Sequence, residues 1–243
     1  MGTNDTVITG SQAWKKTGGL FSTQRGTAYP VDGVKLLAPV RPSKIVCVGR
    51  NYRDHAKELG NEVPGEPLIF LKPPSAIVAA GEAIVYPPIT QSVHHEGELG
   101  VVIGRRARHV PAEEAWDCVF GFTCVNDVTA RDLQKKDGQW TRGKGFDTFC
   151  PVGPWIVRRQ DVTFEELRVR TLLDGQVRQD GSVRDMIFPV NVIIAFVTQF
   201  MTLEAGDLIA TGTPSGVGAM LPGSTVAVEI PGIGVLTNPI VKG

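Results

Sequence analysis

The segment His94-His95-Glu96-Gly97-Glu98 is the part of this 243-residue chain whose residue types and spacing point most directly to chemistry. It leads into the apolar run Leu99 to Ile103 and therefore reads as a strand entering a core. Side chains alternate along a strand, so Glu96 and Glu98 share one face with a glycine between them. Two carboxylates that close repel each other unless a cation or a proton lies between them. A solvated edge strand with two harmless acids fits the same pattern. Asp127 follows the apolar run Val119 to Val125 and would emerge at a strand's mouth. Three carboxylates without a paired Cys or His set form a hard ligand field, suited to Mg²⁺ or Mn²⁺, with Ca²⁺ a further candidate, rather than to zinc. A dication on three carboxylates leaves one formal negative charge, so an acidic substrate would need a base nearby. Thr141-Arg142-Gly143-Lys144-Gly145 offers Arg142 and Lys144, with glycines beside Lys144 that would let a ligand approach the backbone; an ordinary surface turn is the alternative.

Several other chemistries lack their residues. The HExxH pattern fails because Leu99 stands where the second histidine belongs, and GxSxG is absent. The glycines at 216 and 218 lack the third member of GxGxxG, and Gly143-Lys144 is not followed by Ser or Thr, so nucleotide binding has no support. Twenty-five basic side chains match 25 acidic ones, which argues against a nucleic-acid partner. The opening residues lack the apolar run of a signal peptide, and no stretch of about 18 apolar residues follows, so a cytoplasmic protein with no membrane partner is expected. Cys47, Cys118, Cys124 and Cys150 have no CxxC spacing and lie in or beside apolar runs, as buried reduced thiols do.

The elements that must position these groups are mostly strands. Short β-type runs are expected at Ile45–Val48, Leu68–Leu71, Ala83–Tyr86, Glu98–Ile103, Val119–Val125, Leu208–Thr211, Thr225–Ile230 and Val235–Val241. Arg168–Leu173 and Gln176–Arg178 flank Asp174-Gly175, a hairpin signal. Helical spacing is confined to Tyr52–Leu59, Ala112–Asp117, Ala130–Lys136 and Val192–Met201. Residues 1–40 read as a short N-terminal extension or small subdomain, and residues 41–243 as the main domain that carries these groups. No element is expected before residue 24, and one short extended segment is expected within 28–40.

Six motifs in order give the chain a resemblance to the fumarylacetoacetate hydrolase family, from about Lys44 to Leu236. They are GRNYRDHAKELG at 49–60, IFLKPPSA at 69–76, HHEGELGVVIG at 94–104, VNDVTARDLQ at 125–134, RGKGFDTFCPVGPW at 142–155 and TGTPSGVG at 211–218. The resemblance implies a mainly β fold with a few helices (α+β), the mixed β-sandwich roll of that family, and a homodimer. It implies Glu96, Glu98 and Asp127 as metal ligands and Lys144 as the lysine beside the metal. His55 and Glu58, three apart on a short helix, would form a water-activating dyad on a lid. Gln134 and Thr213 would contact substrate, and Arg50, Asn51 and Tyr52 would shape the pocket rim. His94 and His95 are left between support for the metal site and ordinary packing.

The activity implied is Mg²⁺- or Mn²⁺-dependent cleavage of a C–C bond in a small anionic 2-oxo acid, of the acylpyruvate hydrolase or oxaloacetate decarboxylase type. An isomerase or decarboxylase of 2-hydroxymuconate-type dienol acids is the alternative. A non-catalytic metal-binding protein of the same fold is the remote one.

Overall fold

The computed structural model describes residues 35–58, 60 and 62–243, together with three short backbone strands before them. The chain divides into a unit of residues 1–37 and a unit of residues 38–243. In the first, β1 (Lys15–Thr17), β2 (Leu20–Ser22) and β3 (Ala28–Pro30) form an antiparallel sheet. β1 and β2 fall where no element was expected, because three-residue strands are too short to show an alternation.

The second unit runs β4 (Ile45–Gly49), α1 (Arg53–Glu58), β5 (Leu68–Lys72), β6 (Ile77–Val78), β7 (Ile84–Tyr86), β8 (Val93–His95), β9 (Gly97–Ile103) and β10 (Val119–Asn126). Next come β11 (Thr129–Ala130), α2 (Arg131–Asp137), α3 (Thr141–Lys144), β12 (Cys150–Arg158), β13 (Arg168–Leu173) and β14 (Gln176–Ser182). It closes with α4 (Val190–Phe200), β15 (Leu208–Ala210), β16 (Gly218–Ala219), β17 (Thr225–Ile230) and β18 (Gly234–Lys242). A mixed seven-stranded sheet has the order β5-β4-β15-β9-β10-β12-β6, and a five-stranded sheet the order β14-β13-β17-β18-β7. β11, β8 and β16 make a small third sheet at the entrance to β9.

Strand β9 lies near the centre of the first sheet, and its two faces have different neighbours. Leu99, Val101 and Ile103 pack with Val169, Val228 and Ile230 of the second sheet and with Ile193, Ile194 and Val197 of α4. Val102, on the other face, packs with Ile45, Val125, Val152 and Leu208. A strand buried on both faces reads as a continuous apolar run, which is why Leu99 to Ile103 shows little alternation. Glu98 belongs to the Val102 face and is anchored by the packing of its neighbours.

Two of the departures from the expected pattern have a direct physical reason in the sequence. Ala112–Asp117 yields only a 3₁₀ turn at Ala115–Cys118. β12 is a nine-residue strand that proline content concealed, since Pro151 and Pro154 demote the run. Its pairing with β10 shifts register between Phe122 and Cys124, opposite Val157 and Gly153, and that irregular stretch accommodates Pro154 without a ladder N–H.

The RGKG segment also differs from its reading. Cβ atoms placed on Gly143 and Gly145 would stand 2.8 Å from the Gln134 backbone nitrogen and 2.6 Å from the Thr141 carbonyl oxygen. Gly143 lets α3 sit against α2, and Gly145 lets the chain leave α3 past its own Thr141 carbonyl; the close neighbours of both are protein atoms. Arg142 points outward and binds Asp137 through Nε at 2.7 Å, so it takes no part in the acidic cluster. All four cysteines are free and buried, and burial pushes the Cys124 and Cys150 thiols up to about 12. Neither is a nucleophile at neutral pH. Among the described residues no helix is long and apolar enough to cross a membrane.

Candidate active site

Antiparallel pairing brings the three acids together. β9 and β10 align Glu98 with Val125 and Gly97 with Asn126, and beyond the last pair the Asp127 N–H donates to the Glu96 carbonyl at 2.9 Å. The Asn126 side chain accepts from the Glu96 N–H at 3.0 Å, which fixes the break between β8 and β9. Gly97 is required from the opposite side: a Cβ there would lie 2.0 Å from Thr171 Oγ1 on β13. Glu96, Glu98 and Asp127 are buried, and one ligand atom from each lies within 4.8 Å of the others.

Three buried cations answer these three anions. Lys144 Nζ donates to Glu96 Oε2 at 2.7 Å and to Asp127 Oδ2 at 2.6 Å. Lys72 Nζ, at the end of β5, donates to Asp127 Oδ1 at 2.6 Å and to the Val128 carbonyl at 3.0 Å. Arg131, the first residue of α2, pairs with Glu96. Lys72 and Arg131 were not singled out from the sequence, although both lie inside quoted motifs. Their pairing depends on where β5 and α2 are placed relative to β10, which spacing along the chain does not reveal.

This changes the charge count. Three carboxylates against three cations make the cluster formally neutral, and a dication would bring it to plus two, not to the single negative charge expected. Burial alone would push the Glu96 carboxyl up, but Lys144 and Arg131 together hold it well below the usual carboxylate range. Burial also works against the Lys144 ammonium, and Asp127 and Glu96 reverse it, keeping the lysine charged. Glu98 stands apart. Among the described residues no cation pairs with it, its Oε2 accepts only the Gly212 N–H at 2.8 Å, and burial followed by the Asp127 and Glu96 charges drives its carboxyl up. A buried acid left short of positive charge beside two others is what a hard divalent ion would satisfy, releasing the proton. The donor set therefore fits Mg²⁺ or Mn²⁺.

Helix α1 and its entry carry the second group of candidate side chains. Its entry turns sharply at Arg50, whose φ of 58° lies in the left-handed region. Asn51 is buried; both its amide hydrogens go to the carbonyls of Phe188 and Thr211, and its Oδ1 accepts the Phe188 N–H. Its side chain therefore ties the end of β4 to the backbone at Phe188 and Thr211 and has no hydrogen left to offer a ligand. Tyr52 is buried with no protein partner for its hydroxyl, and burial followed by Glu98 and Asp185 pushes the phenol up. Buried His55 places Nδ1 3.3 Å from Glu58 Oε2, and the Gly216 N–H bonds both Glu58 oxygens at 3.1 and 3.2 Å. The Arg50 guanidinium lies 6.0 Å from the Trp140 ring centre.

Gln134 accepts from Arg131 Nη1 at 2.6 Å. The Thr213 hydroxyl donates to the Gly97 carbonyl at 2.8 Å and accepts from Gln179 Nε2 at 2.7 Å, so its proton is already engaged. Burial and the nearby Arg131 charge lower His94 to about 4, and its Nε2 lies 3.0 Å from Ser92 Oγ. His95 is buried against Gln179.

Residues 44–241, nearly all of the second unit, match the fumarylacetoacetate (FAA) hydrolase C-terminal family. The chain belongs to the fumarylacetoacetate hydrolase family. The oxaloacetate tautomerase YisK of Bacillus subtilis is 45% identical over 225 residues, covering 87% of this chain and 75% of the relative. The mitochondrial oxaloacetate decarboxylase of Dictyostelium discoideum is 45% identical over 195 residues, covering 78% and 89%. Among solved structures, a fumarylpyruvate hydrolase from Pseudomonas aeruginosa in complex with Mn²⁺ and pyruvate superposes with a TM-score of 0.78 at 35% identity, covering 85% of this chain and 91% of that one. The mainly β architecture with curled sheets is that of the fumarylacetoacetate hydrolase family, and this chain is one of its enzymes.

Proposed function

We propose that this enzyme takes a small dianionic 2-oxo acid of the oxaloacetate type through its enolate, breaking the bond to the distal carboxyl group or returning the proton to complete a keto–enol conversion. The observation that carries the reading is the three-against-three balance of buried charge, which a divalent ion would tip to plus two, opposite to the charge of a dicarboxylate. A bound Mg²⁺ or Mn²⁺, held by Glu96, Glu98 and Asp127, would supply the Lewis acid that polarises the 2-oxo group.

The chain's own residues do the rest. Lys144, kept charged by its two carboxylate neighbours, donates to the oxygen on which enolate charge develops. When the bond between C3 and the distal carboxylate breaks, its electron pair moves toward the 2-oxo group, carbon dioxide leaves, and C3 then takes a proton. His55, oriented by Glu58, holds that proton; in keto–enol conversion the same pair moves a proton between C3 and the 2-oxo oxygen while every C–C bond stays intact. Tyr52 offers its unpartnered hydroxyl, Gln134 its amide nitrogen and Thr213 its backbone to substrate oxygens, with Arg50 at the rim.

The His55–Glu58 pair favours a second reading, acylpyruvate hydrolysis. There His55 removes a proton from water, the hydroxide adds to the distal carbonyl, and the C–C bond breaks with its electrons passing to the pyruvate enolate. The homodimer implied by the resemblance is part of the proposal and is checked by light scattering.

The deciding experiment uses chelator-treated protein, with and without Mg²⁺ or Mn²⁺, assayed on oxaloacetate for enol decay and pyruvate release, on acetylpyruvate, and on a hydroxymuconate. Metal-dependent turnover of oxaloacetate is expected. Turnover of the hydroxymuconate alone, or activity untouched by chelation, overturns the reading.

A further inference from the structure

Gln179 on β14 belongs to the second sheet and lies outside every motif that drew attention in the sequence, yet it touches four groups around the site. Its Oε1 accepts the Gly97 N–H at 3.0 Å and faces His95 Nδ1 at 3.2 Å. Its Nε2 donates to Thr213 Oγ1 and to the Pro214 carbonyl, both at 2.7 Å. A carbonyl only accepts and a backbone N–H only donates, so the amide has one permitted orientation. It follows that His95 carries its proton on Nδ1. Gln179 is fully buried and uses both amide hydrogens and accepts two donors on its oxygen.

The turn it holds connects to the proton-handling pair. Gly212 N–H binds Glu98 and Gly216 N–H binds Glu58, so residues 212–216 touch a carboxylate of each functional group. This turn rests directly on β14. A Cβ on Gly216 would stand 2.0 Å from the Arg178 carbonyl oxygen, and one on Gly181 would stand 2.4 Å from Pro214 Cβ. Gly216 also has a φ of 98°, open to glycine and strained for other residues.

We infer that Gln179 is a positioning residue that seats the 212–216 turn on β14, making the Gly216 N–H the catch that holds Glu58 and thereby orients His55. The inference rests on the reading of His55 and Glu58 as the proton-handling pair. It differs from that reading in assigning control of the pair to a side chain on the other sheet.

The test is Gln179→Glu in the full Mn²⁺-loaded protein. This change keeps the acceptors facing Gly97 and His95 but removes both donors to the turn. The melting temperature should fall, because the new acid is buried facing the Pro214 carbonyl, so exchange and turnover are compared well below it. Amides of segments 211–218 and 53–58 should exchange faster with deuterium. The kcat on oxaloacetate should fall on the order of tenfold or more, with KM little changed. In a Glu58→Gln background the same change should cost nothing further, since it acts through Glu58. Unchanged exchange at 53–58, or losses that multiply in the double variant, overturn the inference. Thr213→Val, which removes one of the same bonds, carries the exchange measurement if Gln179→Glu does not fold. If His55→Gln and Glu58→Gln retain full turnover, the proposed function fails, while exchange at 53–58 still decides whether the catch exists.

Discussion

The ammonium of Lys72 lies 2.6 Å from Asp127 Oδ1 with both side chains shut away from water. Without Lys72, Asp127 would keep Lys144 as its cation, but the buried cluster of three carboxylates would be one positive charge short. Lys72→Met should therefore destabilise the fold by about 3–5 kcal/mol, measured by urea denaturation. An undiminished unfolding midpoint would show that Asp127 finds its compensation elsewhere.

Glu98 is the acid of the trio without a cation, so replacing it with a neutral isostere separates folding from ion binding. Glu98→Gln should melt at or above the wild-type temperature in chelator, because the amide resembles the protonated acid that burial favours. Mn²⁺ should raise the melting temperature of the wild type and leave that of the variant unchanged. A full Mn²⁺ shift in the variant would remove Glu98 from the ligand set.

His55→Gln should lower kcat on oxaloacetate or acetylpyruvate by about 10²- to 10⁴-fold, the range for losing a positioned acid or base, with the melting temperature and Mn²⁺ binding retained. Equal losses in kcat and in metal affinity would instead assign His55 to the metal's surroundings.

Asp207, far along the chain from the strand start it anchors, gives a pH-dependent prediction. Its Oδ1 accepts the Ser43 N–H at 2.9 Å and the Ser43 hydroxyl at 2.7 Å, and Lys44 Nζ binds its Oδ2. Burial raises this carboxyl, but the Glu204 N–H, Lys44 and Ser43 outweigh it and hold it below its ordinary value. A depressed folded-state pKa means the contribution is complete above the unfolded pKa and disappears as pH falls through the folded one. Asp207→Asn should cost about 2–3 kcal/mol near neutral pH. The gap from wild type should narrow as denaturation is repeated at falling pH. A gap that stays constant with pH would mean that the charge is irrelevant.

Gly143→Ala tests the contact between the two short helices. The added methyl meets the Gln134 backbone at 2.8 Å, so α2 and α3 must separate, at about 1–3 kcal/mol. Because Gln134 and Lys144 lie on those helices, turnover should fall together with stability. A fully active, equally stable variant would refute the close-approach reading.

What the sequence determined by itself was the local part of the site. Alternation put Glu96 and Glu98 on one face and the end of an apolar run put Asp127 at a strand mouth, while the family resemblance singled out His55 and Glu58, whose three-residue spacing lets them share one helix face. These are consequences of backbone geometry acting over a few residues, so they survive without knowledge of the fold. Short strands with clear apolar runs were legible for the same reason, whereas β12 was hidden because its prolines are tolerated only where pairing with β10 becomes irregular.

The tertiary structure alone decided the charge balance and the support. Lys72 reaches Asp127 from 55 residues away, Arg131 reaches Glu96 from 35, and Gln179 meets His95 from 84. Strand order and sheet packing set those pairings, and no local propensity encodes them. In water each of these side chains would be an ordinary solvated polar group. Buried together, their charges and hydrogen bonds must satisfy one another, and only the packing of the sheets brings the partners that do so into reach.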